Sequence, residues 1–429
     1  MNVPHRDLPR IVIIGCGFAG LKLAKTIDTN QYQVVLFDKN NYHTFQPLMY
    51  QVASAGLEPD SIVYPIRKVF NKKKNFHFRM ADVHRIDADK KLVHTSVGEL
   101  DYDYLVMATG AESNFFGMKN VEKYSMPMKS LVEALNLRSV ILQNFEKAIN
   151  TSDLNEREAL MSFVIVGGGA TGVELAGALA ELKRYILPKD YPDLDIRRMQ
   201  IHVVQGADRL LPGMSEKASA DSEAFLRKMG VNVWLDIRAK DYDGTNVFTD
   251  KETFQAKTLI WAAGIKGAPT AGLNAKVNHS NRVLVTPFNQ IEGYEDVFAV
   301  GDVAAMLSED NPYGHPMLAS VAVQQGVHLG KNFNLLAKEK AMKPFRYSDK
   351  GTMATIGRNL AVVDLKSTKF SGWFAWILWM FVHLMLLVDF RSRLVVFVNW
   401  AWSYLFYDKG TRLIVRKVKD KTISEEPVT

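Results

Sequence analysis

Apolar residues follow the same pattern in two parts of the chain. The sequence RIVIIGCGFAG opens with a β-branched run, continues into helical spacing in LKLAKTID, and reaches a second apolar run in YQVVLFD. Short β-branched runs separated by helical segments predict parallel strands joined by helices. The same order recurs in SFVIVGGGATGVELAGALAEL. The two copies end alike, in DYLVMATG and TLIWAAG, so we predict a doubly wound α/β unit that occurs twice.

Each copy carries a glycine-rich turn between its first strand and its helix. The turns are Gly15-x-Gly17-x-x-Gly20 and Gly167-x-Gly169-x-x-Gly172. Glycines let the backbone approach a pyrophosphate at a helix N-terminus, and an acid at the end of the second strand binds a ribose. Asp38 ends that strand in the first copy, and Gln205 in the second. Two such sites predict two dinucleotides, one bound permanently and one exchanging, which indicates a flavin enzyme that uses a nicotinamide cofactor.

The composition excludes several kinds of redox and metal site. The 429 residues allow two or three domains, and 47% of them are hydrophobic. A single cysteine, Cys16, excludes a redox disulfide within the chain and a zinc–cysteine cluster, and the sequence has no HExxH motif. We therefore expect no metal. The polar N-terminus lacks the apolar core of a secretory signal, which predicts a cytoplasmic catalytic body.

Two uncharged runs lie near the C-terminus. WFAWILWMFVHLMLLV has 16 residues, and as a helix it reaches roughly 24 Å, less than the roughly 30 Å of a bilayer core. LVVFVNWAWSYLFY follows after DFRSR. Residues 350–429 hold five of the seven tryptophans and twelve Lys/Arg against six Asp/Glu. This composition favours helices at about 373–388 and 392–407 lying on an anionic lipid surface, and not a nucleic-acid partner. A transmembrane hairpin and a buried dimer interface stay open as alternatives.

A third motif indicates which of the two dinucleotide sites binds the flavin. YEDVFAVGDVA delivers Gly301 and Asp302 at the end of a short strand. The stretch resembles the second FAD fingerprint of the two-dinucleotide-domain flavoprotein reductases, whose FAD domain is split by an inserted NAD(P)H domain. The resemblance implies that the first copy binds FAD and the second binds NAD(P)H. The expected cofactor contacts are Gly15, Gly17, Gly20, Asp38, Lys39, Val83, Thr109, Gly110, Gly301 and Asp302 for FAD, and Gly167, Gly169, Gly172, Gln205 and Gly264 for NAD(P)H.

Five motifs in order resemble the type II NADH:quinone oxidoreductases, single-subunit enzymes that do not pump protons. They are NYHTFQPLMYQVASAGLEP, GGGATGVELAGALAEL, FAVGDVA, HPMLASVAVQQG and SGWFAWILWMFVHL. The resemblance implies that the carboxylate of Glu174 lies near the nicotinamide and flavin rings, and that Gln324 donates to a quinone carbonyl. A solvated helix acid and an amide that ties a helix to a loop are the structural alternatives. The implied quinone pocket comprises Gln46, Pro47, Tyr50, Ala319, Ser320, Gln324 and Gln325.

The sequence departs from this family's pattern at two positions. Ser320 replaces the first glutamine of the helix motif, so that contact with the quinone is in doubt. Gln205 stands where NADH-specific members have a glutamate, which repels the 2′-phosphate of NADPH. With Arg209 nearby, we hypothesise that the chain accepts NADPH better than a glutamate-bearing relative, with NADH as the default donor.

The expected architecture is an FAD domain at 1–115 and 280–345, an NAD(P)H domain at 116–279, and a membrane-anchoring α/β appendage at 346–429. The expected function is hydride transfer from NADH to FAD and electron transfer to menaquinone or ubiquinone. The expected enzyme is a homodimer, peripheral to the cytoplasmic face of the inner membrane. Two alternatives are a reductase of a soluble electron acceptor and a slow-turnover flavoprotein that senses NAD(P)H.

Overall fold

The structure, a computed structural model, describes residues 1–4, 7–406, 410–414 and 418. Packing divides the chain into two compact units, each assembled from separate stretches. Unit 1 comprises Met1–Thr44, Val63–Glu112 and Ile265–Asp349. Unit 2 comprises Phe45–Ile62, Ser113–Gly264 and Lys350–Thr429. These units are defined by packing alone, so the expected cofactor-domain boundaries stay a prediction.

The α-helices of the described residues are α1 (Phe18–Thr26), α2 (Met49–Ala53), α3 (Ile66–Phe70), α4 (Lys119–Tyr124), α5 (Leu131–Asn150), α6 (Leu154–Leu160), α7 (Ala170–Glu181), α8 (Leu187–Asp190), α9 (Glu216–Lys228), α10 (Ala319–Leu336), α11 (Trp373–Leu386) and α12 (Phe390–Phe406). A π-helical turn, Leu182–Ile186, joins α7 to α8. Short 3₁₀ turns occur at Gln46–Leu48, Pro59–Ser61, Ile196–Arg198 and Gly301–Val303.

The strands of the described residues are β1 (Arg10–Ile14), β2 (Gln33–Asp38), β3 (Tyr42–Thr44), β4 (Val63–Pro65), β5 (Phe76–Met80), β6 (Val83–Asp87), β7 (Leu92–Thr95), β8 (Gly98–Asp101), β9 (Tyr104–Met107), β10 (Ala111–Ser113), β11 (Met126–Pro127), β12 (Ser162–Val166), β13 (Gln200–Val204), β14 (Asn232–Trp234), β15 (Ala239–Tyr242), β16 (Asn246–Thr249), β17 (Thr253–Gln255), β18 (Thr258–Trp261), β19 (Ile265–Gly267), β20 (Val283–Val285), β21 (Val297–Ala299), β22 (Ala304–Met306), β23 (Thr352–Gly357), β24 (Leu360–Asp364) and β25 (Lys369–Ser371).

Unit 1 is built on a parallel sheet of five strands in the order β21-β9-β1-β2-β5. All five residues of β1 are buried, as expected for a central parallel strand covered on both faces. Helix α1 lies against α10, and a Cβ at Gly326 would overlap with the carbonyl oxygen of Ala19. This close approach of two helix backbones fixes α10 beside the first glycine-rich turn.

Unit 2 repeats the design with the order β11-β18-β12-β13-β14, again all parallel. Strand β12 is fully buried, and the helix after its glycine turn is α7. The repeated α/β unit predicted from the apolar runs is therefore confirmed. In both copies the glycine-rich turn leaves the carboxyl end of the first strand, where ligands bind in open α/β sheets.

The C-terminal part of unit 2 contains the antiparallel sheet β23-β24-β25, followed by α11 and α12. A Cβ at Gly177 would overlap with the carbonyl oxygen of Ile356, so α7 lies tightly against β23. Helix α11 begins at Trp373 and ends at Leu386, and α12 begins at Phe390, so the inner bounds lie two residues before the expected positions. The Asp389 side chain accepts from the backbone N–H of Ser392 at the start of α12. Residue 407 lies outside the described residues. None of the described helices combines the length and apolar character needed to cross a bilayer.

Candidate active site

The first glycine-rich turn has the shape of a phosphate cradle. Gly15 has φ of +100°, and a Cβ at Gly20 would overlap with the carbonyl oxygen of Gly15. At the middle glycine, Gly17, a Cβ would meet no atom within 4 Å. Gly17 is also the N-cap of α1, which has no side-chain cap and no acid in its first turn. The turn is thus tight on the protein side and open at the uncapped helix end, as a pyrophosphate requires.

The second turn reproduces this geometry in unit 2. Gly167 has φ of +113°, and a Cβ at Gly172 would overlap with the carbonyl oxygen of Gly167. A Cβ at Gly169 would meet no atom within 4 Å, and Gly169 is the N-cap of α7 without a side-chain cap. Both glycine-rich turns predicted from sequence are therefore formed, each at the start of its expected helix.

The residue at the end of the second strand fastens the turn in each copy. The Asp38 carboxylate accepts from the backbone N–H of Cys16 at 2.6 Å and of Asn40 at 2.8 Å. Burial raises the pKa of Asp38, although both hydrogen bonds oppose the rise. Gln205 accepts from the N–H of Gly168 at 2.9 Å and donates to the carbonyl of Arg209 at 3.2 Å. The neutral amide of Gln205 and the carboxylate of Asp38 therefore each accept a hydrogen bond from a backbone N–H of their glycine-rich turn.

Other residues of unit 1 fit the adenine dinucleotide expected there. The hydroxyl of Thr109 is buried and has no hydrogen-bond partner within the described part of the chain. Val83 is buried, Lys39 is exposed, and Gly110 has φ of +74°. A buried hydroxyl without a protein partner, beside an open phosphate cradle, can form its hydrogen bond with a bound cofactor. The residues present therefore fit FAD.

The stretch that contains Gly301 and Asp302 is held by a hydrogen bond to α10. Gly301 has φ of +77°, and its N–H donates to Oε1 of the buried Gln325 at 2.7 Å. The guanidinium of Arg282 donates to the carbonyl of Asp302 at 3.0 Å. Gln325 thus holds the backbone of this fingerprint in place.

The remaining α10 residues are engaged within unit 1. The hydroxyl groups of Ser320 and Tyr347 lie 2.9 Å apart. Gln324 uses both amide atoms on Ser348: it donates to the carbonyl at 2.9 Å and accepts from the N–H at 3.0 Å. A quinone contact through Gln324 would have to replace one of these bonds. The quinone roles of Ala319, Ser320, Gln324 and Gln325 stay predictions.

Glu174 is a buried acid in the second turn of α7. It lines a cavity of about 100 Å³ whose walls come from α2, α7, the β23–β24 turn, α11 and α12, all within unit 2. Burial raises its pKa to about 8, against a weak hydrogen bond from the N–H of Thr355 at 3.4 Å and the nearby indole of Trp379. Burial therefore favours the protonated form of this side chain near neutral pH, and its expected position near the nicotinamide and flavin rings stays a prediction.

Tyr50 and Trp379 share this cavity with Glu174. Tyr50 is buried, and its ring meets Trp379 edge-on at 6.5 Å between centroids. The indole N–H of Trp379 is buried without a hydrogen-bond partner among the described residues. Of the other residues expected here, Gln46 is exposed and Pro47 is half-buried, one turn before Tyr50. The structure thus places Tyr50 and Glu174 around one cavity.

Gln51 and Arg358 are among the residues of the cavity wall that sequence reasoning missed. Gln51 bonds to Tyr50 and to Trp400. Arg358 donates to the carbonyls of Ser403 at 2.6 Å and Tyr404 at 2.9 Å, near the end of α12. Arg358 lies in the turn between β23 and β24. No local pattern singled out Gln51.

Side chains that commonly bind metals are not clustered in the part of the chain that the structure describes. Within the described residues, no group of three or more His, Cys, Asp or Glu side chains is placed to hold an ion. The one cysteine, Cys16, is buried in the first turn, and burial raises its thiol pKa well above the usual value.

The chain matches known protein families over most of its length. Residues 9–326 match the pyridine nucleotide-disulphide oxidoreductase family, and residues 350–407 match the NDH2 C-terminal domain. The type II NADH:quinone oxidoreductase Ndh of Mycobacterium tuberculosis is 32% identical over 419 residues, covering 94% of this chain and 89% of that protein. NdhA of the same organism is 31% identical over 428 residues, covering 95% of this chain and 90% of that protein.

A solved structure has the same fold. NDH2 from Plasmodium falciparum in complex with NADH superposes with a TM-score of 0.87 at 21% identity, covering 95% of this chain and all of that one. The resemblance noted from the five motifs and the expected fold class are both confirmed. By sequence identity along nearly its whole length, the chain belongs to the type II NADH:quinone oxidoreductases, within the pyridine nucleotide-disulphide oxidoreductase family.

Proposed function

We propose that this chain oxidises NADH and reduces a membrane quinone, without proton pumping. NADH, a proton and a quinone become NAD⁺ and a quinol. The observation that carries the proposal is the pair of matched phosphate cradles, one in each unit, in a chain of this family. FAD, when bound, supplies the chemistry that connects a hydride donor to a quinone. The protein binds and orients the reactants and excludes water from them.

Each cradle has one role in the proposal. The turn fastened by Asp38 binds the pyrophosphate of FAD, with Thr109 supplying a hydroxyl that has no protein partner among the described residues. The turn fastened by Gln205 binds the pyrophosphate of the nicotinamide cofactor. Because Gln205 carries no charge, it does not repel a 2′-phosphate, so NADPH is accepted beside NADH.

Glu174 is the proposed proton-holding residue of the site. With a pKa raised to about 8 by burial, it keeps its proton through the neutral range. A neutral carboxyl can donate a hydrogen bond to a ring carbonyl without placing a charge in an apolar cavity. Glu174 therefore positions a cofactor or quinone ring by hydrogen bonding.

The two C-terminal helices form the proposed membrane-binding surface. Their exposed large side chains are Trp373, Phe374, Ile377, Phe381, Met385, Leu386, Phe390, Leu394, Val395, Phe397, Val398, Trp402, Tyr404, Leu405 and Phe406. This many exposed apolar side chains on two consecutive helices, in a segment with excess Lys and Arg, favour helices lying in the plane of an anionic leaflet. We place the protein peripherally on the cytoplasmic face of the inner membrane and expect a homodimer.

Anaerobic flavin spectroscopy of the purified holoenzyme tests the proposal. NADH is expected to bleach the flavin, NADPH to bleach it more slowly, and menaquinone or ubiquinone analogues to restore the colour. Fast bleaching with no reoxidation by any quinone would contradict the proposal. In that case, reoxidation by a small iron–sulfur protein would indicate a soluble acceptor, and none at all would indicate a sensor.

A further inference from the structure

A chain of three side chains runs from α12 to α2 inside unit 2. The indole Nε1 of Trp400 lies 2.8 Å from Oε1 of Gln51. The amide Nε2 of Gln51 lies 2.8 Å from the hydroxyl oxygen of Tyr50. All three residues line the cavity that contains Glu174. The chain thus connects a helix of the proposed membrane surface to a phenol in the cavity.

The direction of these hydrogen bonds is fixed by chemistry. An indole N–H can only donate, so the Gln51 atom that faces Trp400 must be the amide oxygen. The amide NH₂ of Gln51 then faces Tyr50 and donates to its oxygen. Because that oxygen accepts from Gln51, the phenol proton points elsewhere. Within residues 1–4, 7–406, 410–414 and 418, no group accepts this proton.

The surroundings of Tyr50 keep that proton in place. Burial, and to a smaller extent the proximity of Glu174, raise the pKa of the Tyr50 phenol well above its usual value. The ring packs against Trp379, which in turn stacks on His383 at 4.1 Å between centroids. A neutral donor set among aromatic side chains suits a carbonyl oxygen of an uncharged aromatic ligand.

We propose that Trp400 and Gln51 are positioning residues that turn the Tyr50 hydroxyl toward a quinone carbonyl. The inference rests on the proposed quinone reductase function and goes beyond it. Tyr50 touches the substrate, whereas Gln51 and Trp400 act only by orienting its proton. The contact between α12 and α2 therefore affects quinone reduction, because it orients the Tyr50 hydroxyl.

Two substitutions test the orientation. Trp400→Phe removes the N–H and keeps an aromatic ring, so Gln51 is free to rotate. Gln51→Glu keeps the size but replaces the NH₂ by an acceptor, which draws the Tyr50 proton away from the cavity. We expect kcat/KM for a short-chain ubiquinone to fall about fivefold to tenfold in each variant, the effect of one hydrogen bond. The anaerobic rate of flavin reduction by NADH, and turnover with ferricyanide, should stay within about twofold of the wild type.

The matched control is Asn399→Ala. Asn399 precedes Trp400 on α12 and donates to Glu58 at 2.6 Å, so it also joins α12 to residues 45–62, through a hydrogen bond that does not involve Gln51. If loosening of α12 were the cause, Asn399→Ala would lose as much quinone activity as Trp400→Phe, and the inference would be wrong. We expect Asn399→Ala to retain the wild-type kcat/KM for the quinone.

A double-mutant cycle separates orientation from packing. In a Tyr50→Phe background the donor is absent, so adding Trp400→Phe should cost nothing further in quinone kcat/KM. A full additional loss in the double variant would overturn the inference, as would unchanged kinetics of Trp400→Phe alone. A wild-type protein that is reduced by NADH but reoxidised by no quinone would instead refute the underlying function. Flavin content and urea unfolding midpoints verify folding, and Gln51→Glu serves if Trp400→Phe does not fold.

Discussion

The buried acid Glu174 makes stability depend on pH in a way that one substitution removes. Its pKa is raised from 4.5 to about 8 by burial. In the folded protein the side chain therefore holds a proton that the unfolded chain releases between pH 4.5 and 8. The stabilisation associated with this proton is complete below about pH 4.5 and is lost as pH rises through 8. Glu174→Gln mimics the protonated acid at every pH.

The size of the effect follows from the pKa difference. Each pKa unit corresponds to about 1.4 kcal/mol, so the full difference is on the order of 5 kcal/mol. At pH 5 the wild type and Glu174→Gln should be similar in free energy of unfolding. By pH 9 the wild type should be the less stable of the two by a few kcal/mol.

Urea unfolding of the holoenzyme at fixed FAD concentration, followed by flavin fluorescence, measures this difference. Comparing the variant with the wild type at each pH cancels the contributions of all other titrating groups. Glu309→Gln, in the exposed loop that follows β22, controls for the loss of one carboxyl at the surface. A difference between wild type and Glu174→Gln that does not change from pH 6 to pH 9 would refute the reasoning.

Three further predictions concern the cofactor and the membrane. Gln205→Glu should lower the ratio of NADPH to NADH kcat/KM roughly tenfold, because a carboxylate repels the 2′-phosphate; steady-state kinetics with both donors would show no change if Gln205 plays no part. Gly169→Val should fold normally but raise the KM for NADH more than about tenfold, since its side chain enters the open cradle, whereas Gly172→Ala should lower the urea midpoint instead. Trp402→Glu together with Leu405→Glu should abolish sedimentation with anionic liposomes and leave NADH-dependent flavin reduction intact; unchanged sedimentation would place the membrane surface elsewhere.

The parts of the fold that could be predicted from sequence are those with local causes. Gly15 and Gly167 adopt positive φ, which few other residues tolerate, so the glycine pattern marks both turns without knowledge of the rest. The apolar runs of β1 and β12 are fully buried, and their composition indicates this directly. The strand–turn–helix unit can therefore be predicted from one short stretch of sequence.

The cavity could not be predicted in the same way, because its contacts join distant positions. Gln51 and Trp400 are 349 residues apart, and neither belongs to a motif that would pair them. The raised pKa of Glu174 comes from burial of its side chain, which is a property of tertiary packing. Resemblance to a family indicated Glu174 and Tyr50 but not the bonds that orient them.

Helix α12 shows why tryptophan-rich segments are hard to interpret from composition. Trp400 and Trp402 are two residues apart, so they point about 200° apart around the helix. Trp400 turns inward and bonds to Gln51, whereas Trp402 is exposed on the apolar surface. The same aromatic content therefore serves two purposes, which the sequence alone does not separate. It follows that substitutions at Trp402 should change membrane affinity and spare quinone kinetics at saturating lipid, whereas Trp400→Phe should do the reverse.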